Sequence, residues 1–72
     1  MSYDYSKLLG RIVEKQGTRA KFAAEMEISE RSLSLKLNDK VPWKDTEISK
    51  ACNILDIADS EMHLYFFKYK VL

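Results

Sequence analysis

Cysteine, histidine and glycine are all scarce in this chain of 72 residues, and each scarcity removes a class of function. One cysteine, Cys52, cannot form an internal disulfide, and nothing points to an oxidising compartment. One histidine, His63, leaves no Ser/His/Asp or Cys/His set without assumed geometry, so no enzyme is expected. A metal site wants three or four ligands, and lone His63 and lone Cys52 read as structural residues instead. Two glycines cannot build a phosphate-cradling loop, and no cofactor is implied. Signal-peptide patterning is absent, as is any apolar run long enough to cross a bilayer; a cytoplasmic protein with no membrane and no small-molecule substrate is expected. Repeats, linkers and low-complexity segments are missing too.

What remains is an ordinary globular composition, 46% hydrophobic and 32% charged, with a net charge of +1. It reads as a single domain over residues 1–72. A chain this short buries only about 60% of its unfolded surface, so its core is thin. Charge is unevenly spread. Residues 1–44 hold nine Lys/Arg against six Asp/Glu, while 45–72 hold three against five. An anionic partner would meet the first two thirds.

Tyr5, Leu8, Leu9, Ile12 and Val13 form the i, i+3, i+4, i+7, i+8 stripe of an amphipathic helix. Asp4 is placed to cap it and Gly17 to end it in left-handed geometry. Thr18 caps a second helix carrying Phe22, Ala23 and Met26. A fourth helix runs from about Asp45 to Leu55 through Ile48, Ala51 and Cys52, with Trp43 as a hydrophobic staple before it. Asp59 or Ser60 caps a short fifth through Met62, Tyr65 and Phe66. The tail, residues 68–72, reads as extended and able to pair with a second copy.

Between the second and fourth helices lies "SERSLSLKLND", where leucine alternates with polar residues as it would in a strand. Ser29 to Asn38 contains no β-branched or aromatic residue, however, and Leu, Lys, Arg and Glu are good helix formers. A helix capped by Ser29 is predicted. Leu33 and Leu37, four apart, then face the core, while Leu35 turns about 200° away from Leu33.

The stretch "TRAKFAAEMEISERSLSLKLN", about residues 18–38, resembles the helix-turn-helix of the phage repressor and Cro family. Ala23 stands where two helices cross closely; Ile28, Leu33 and Leu37 match apolar positions. The family's usual turn glycine is Glu27 here, at a cost of about 1 kcal/mol if left-handed geometry is kept. Lys36 stands where an apolar or small residue is common. With "YDYSKLLGRIVEK" and "YFF", the chain is closer still to small lysogeny-switch regulators of temperate phages of Gram-positive bacteria. That group includes Cro-like repressors and a modulator-of-repression antirepressor, which binds the phage's main repressor. The implied fold is all-α, a five-helix lambda-repressor-like DNA-binding domain with an extended C-terminal tail, working in the cytoplasm of the bacterial host cell.

Carried onto this chain, the resemblance places Ser29, Glu30, Arg31, Ser34 and Leu35 at base edges in the major groove, or against a protein partner. Thr18, Arg19, Lys21, Asn38, Lys40 and Lys44 would hold phosphates. The first reading is a transcriptional regulator binding double-stranded operator DNA as a homodimer. The alternative is an antirepressor that binds the cognate phage repressor through the same face. Residues 18–44 carry six cations against four anions, little for a DNA binder. An outward Leu35 ringed by polar residues suits a protein interface at least as well. Plainer readings also exist. Glu30 and Arg31 serve equally as a solvated helix start, and Lys7, Arg11 and Lys15 as the wet face of the first helix. Trp43, Tyr65, Phe66 and Phe67 read as core or dimer contacts, and the methionines as packing.

Overall fold

The computed structural model describes residues 2–71. Five helices follow one another: α1 Ser6–Gln16, α2 Arg19–Met26, α3 Glu30–Leu37, α4 Asp45–Leu55 and α5 Met62–Phe66, the last entered through a 3₁₀ turn at Asp59–Glu61. The decapeptide that alternates like a strand is a helix. The domain is all-α, as expected, and among the described residues the sole β pairing is an isolated bridge.

Local chemistry sets the boundaries. Gly17 adopts φ 87° and its N–H reaches Val13 O at 3.0 Å, closing α1. Thr18 Oγ1 then accepts the Lys21 N–H at 3.1 Å, and α2 begins. Glu27 takes the left-handed conformation at φ 62° although it is not glycine. The next residue compensates: Ile28 N–H reaches back to Ala23 O at 3.0 Å and its half-buried side chain packs on the core. Asp56 and Ile57 end α4 in the same way, with φ 55° and an Ile57–Cys52 bond of 2.9 Å. In both turns an acidic residue carries the strain and an isoleucine anchors it.

Asp4 does not cap α1 in the usual sense, because Tyr5 occupies the capping position; its Oδ1 accepts the Ser6 N–H at 2.9 Å instead. Neither Asp59 nor Ser60 caps the fifth helix by side chain, since the 3₁₀ turn starts after Ala58.

The core is closed by Phe22, Phe66, Leu8, Ile12, Leu33 and Leu55, each under 2% exposed. Burying one such side chain contributes about 1.5–3 kcal/mol. Ala23 and Ala51 lie within the same cluster. The α1 stripe is narrower than its sequence pattern: Tyr5, Leu8 and Ile12 are buried, whereas Leu9 and Val13 are exposed. At roughly 100° per residue, Val13 already turns a quarter-circle from Ile12 and clears the core.

The tail pairs with its own chain. Asp4 N–H bonds Lys68 O at 2.7 Å, Lys70 N–H bonds Ser2 O at 3.0 Å, and Tyr3 bridges antiparallel to Tyr69 with their rings stacked 5.1 Å apart. The tail, expected to be extended, thus finds a pairing partner within the chain. Leu72 and Met1 lie outside the described residues.

Arg11 also departs from expectation. Rather than a wet-face cation, it is half-buried, giving Nε to Leu55 O and Nη2 to Asp56 O, both at 2.9 Å, and Nη1 to Glu14 at 2.7 Å. The guanidinium thereby satisfies carbonyls that the end of α4 leaves open. Its neighbour in the row, Lys7, places its ammonium 5.2 Å from the Tyr65 ring.

Candidate functional site

The first turn of α3 is fixed by its cap. Ser29 Oγ accepts the Ser32 N–H at 3.0 Å, and its hydroxyl bonds the Ser32 hydroxyl at the same distance. Exposure changes along the helix from there. Ser29, Glu30 and Arg31 are exposed, Ser34 and Leu35 are half-buried, and Leu33 is sealed in the core. Leu35 is thus less outward than its angular position predicts, and Leu37 packs against the core only partly buried.

Arg19, at the start of α2, meets Glu30, Arg31 and Ser34 around an open groove of about 280 Å³. The fold therefore brings together one residue expected at phosphate with three expected at base edges or a partner. Two guanidinium groups and one carboxylate line it. Such a set can engage both signs of charge on a protein, or a phosphate through the arginines with Glu30 opposing.

The other residues singled out from the sequence stand outside this groove. Thr18 uses its hydroxyl as a cap. Asn38 turns its amide back on Ser34 O at 2.8 Å, holding the end of α3. Lys21, Lys40 and Lys44 are exposed, and the Lys44 N–H is bonded by Glu47 at 2.9 Å.

Lys36, by contrast, is 5% exposed. Its ammonium sits 2.9 Å from Glu47 Oε1, 3.2 Å from Pro42 O and 5.9 Å from the Trp43 ring centroid. Burial pushes the Glu47 carboxyl up, but the Lys44 N–H and the Lys36 ammonium outweigh that and hold it below its ordinary value. A cation that would have counted toward an anionic partner is spent inside the fold. A sequence signal for this exists: Lys36 lies three residues after buried Leu33, on the same helix face.

Cys52 is buried, and that burial, with Asp59 nearby, raises its thiol above the ordinary value. Among the described residues no group of three or more His, Cys, Asp or Glu could hold a metal, and no helix is long and apolar enough to cross a membrane.

Three comparisons place this architecture among known proteins. The model of a family described as protein of unknown function (DUF739) matches residues 1–69. No curated protein matches the chain. Among solved structures, the chain is similar to the modulator of repression (MOR) of the temperate bacteriophage TP901-1 from Lactococcus lactis. The two are 57% identical, with 100% of this chain and 97% of that one covered, at a TM-score of 0.82.

Proposed function

The chain belongs to the DUF739 family, and from that premise we propose that it is a phage-encoded modulator of repression. It binds its phage's own repressor protein through the exposed half of α3 and changes the repressor's hold on operator DNA. The observation that carries this reading is 57% identity along the whole chain to a protein named for that role. The site is compatible in chemistry. Arg19, Arg31 and Glu30 line one open groove, and Lys36 contributes no outward charge. A mixed-sign surface with arginine anchors suits a protein interface, where arginine is enriched at energetic centres. It works in the cytoplasm of the bacterial host and needs no cofactor.

Direct binding to a palindromic operator as a homodimer is the second reading. Exposed Arg19, Lys21, Arg31, Lys40 and Lys44 around a capped α2 start favour it. Weighing against it, Lys36 is withdrawn into an ion pair and Glu30 would oppose a phosphate in the same groove.

A gel shift on the phage's switch region separates the two. The modulator reading expects no shift from this protein alone at physiological salt, and a changed repressor–DNA band when both proteins are present. A salt-sensitive shift by this protein alone, with the repressor's band unaltered, selects operator binding instead.

A further inference from the structure

Away from the α3 groove, and sharing no residue with it, five aromatic rings and one carboxylate enclose a second cavity of about 200 Å³. Tyr3, Tyr5, Trp43, Phe66 and Phe67 supply the rings, and Asp39 the charge. The rings pack tilted rather than parallel. Tyr5 and Trp43 meet at 61°, Trp43 and Phe66 at 79°, Tyr3 and Phe67 at 80°, with centroids 5.2–6.4 Å apart. Phe66 is sealed at 1% exposure, while Phe67 stays 45% exposed, so the space has a dry floor and an open rim.

Asp39 is held in place by two features. Its backbone is left-handed, at φ 58°, and its Oδ2 accepts the Tyr3 N–H at 2.9 Å. No ion-pair partner for it occurs among the described residues. Aromatic faces carry negative charge density, and a carboxylate beside them adds a full negative charge in a partly dry place. The Tyr5 hydroxyl registers this setting: burial, then Asp39, then Tyr3 push it up to about 12. The chain already seats one cation near the Trp43 ring, the Lys36 ammonium at 5.9 Å, whose charge Glu47 balances.

We propose that this aromatic cavity is a docking site for an arginine side chain presented by a protein partner, its guanidinium stacked on the rings and paired with Asp39. A guanidinium suits the site better than an ammonium because it is flat, weakly hydrated and able to pair side-on with a carboxylate. Such docking is independent of any role in repression, since the isolated chain suffices to test it. Pro42 and Ile48 complete the lining.

Trp43 is the single tryptophan, so its fluorescence reports on the cavity alone. N-acetyl-arginine-N-methylamide is titrated against the full chain and compared with the citrulline analogue, of nearly the same shape but neutral and carrying a carbonyl acceptor. The arginine probe is expected to give a saturable Trp43 response about tenfold tighter than the citrulline probe. Asp39→Asn should abolish that preference while leaving the far-ultraviolet circular dichroism unchanged, because Asn tolerates left-handed backbone and still accepts the Tyr3 N–H. Equal binding of both probes would overturn the proposal. So would no Trp43 response, or an arginine preference that survives Asp39→Asn.

Discussion

The two ends of α3 are built on opposite terms. At its start, Glu30 and Arg31 are exposed at an open groove, and the Ser29 cap and the first turn fix the geometry. Toward its end, Leu33 is sealed, Lys36 is buried against Glu47, and Asn38 folds back on Ser34 O. One eight-residue helix thus holds the fold with Leu33 and Lys36 and presents chemistry with Glu30, Arg31 and Ser34. The two kinds of charge differ accordingly. Arg31 is available to a partner; Lys36 is not.

The largest expected break in that contrast is Lys36→Ala. Removing one member of a buried pair strands the Glu47 carboxylate, at a cost of about 3 kcal/mol in urea unfolding. Lys36→Met together with Glu47→Gln, which removes both charges, fills the space and keeps an acceptor for the Lys44 N–H, should fall within about 1 kcal/mol of wild type. A double variant as unstable as Lys36→Ala would mean that the ion pair itself, rather than a stranded carboxylate, is what the site requires.

The same pair makes a pH prediction. The Glu47 carboxyl lies below its ordinary value of 4.5 in the folded chain, so its contribution is present above that pH and is lost as pH falls through the lower folded value. Thermal melts from about pH 6 to about pH 3 should therefore show a decline that Lys36→Met flattens. An unchanged slope in that variant would assign acid sensitivity to other carboxylates.

At the open end, Arg31→Ala should weaken repressor binding about tenfold, read by calorimetry, while changing folding stability by less than about 0.5 kcal/mol. A comparable loss of stability would erase the division between the two halves. The smallest effect expected is from Glu27→Gly. It relieves left-handed strain and loses an exposed 3.2 Å pair with Lys50, giving a net gain below about 1 kcal/mol in the same unfolding assay.

Much of this is readable from residue order, for identifiable reasons. Thr18 and Ser29 are good cap residues in front of helix formers, and the structure uses both as caps. The absence of β-branched residues from Ser29 to Asn38 decides helix over strand. Long-range choices are not readable. Nothing local distinguishes Arg11 from its row mates Lys7 and Lys15; its role depends on the end of α4, 44 residues away. Leu9 and Val13 share a periodicity with the core, yet the stripe that α2, α4 and α5 cover is too narrow to include them. Asp39 reads as a loop residue, and its place beside five aromatic rings depends on the Tyr3 N–H and the returning tail. At the α3 groove, helical spacing groups Glu30, Arg31 and Ser34, but their meeting with Arg19 requires the angle between α2 and α3 that the Glu27 turn sets.

The most direct test of the division within α3 is an amide NMR titration of this chain with the DNA-binding domain of its phage's repressor. The expected result is a set of large shifts at Arg19 and Ser29–Ser34, with Leu33 the sole core residue among them and Lys36–Asn38 quiet. Shifts confined to residues outside α2 and α3, or an undisturbed spectrum with repressor but a perturbed one with operator DNA alone, would contradict the account.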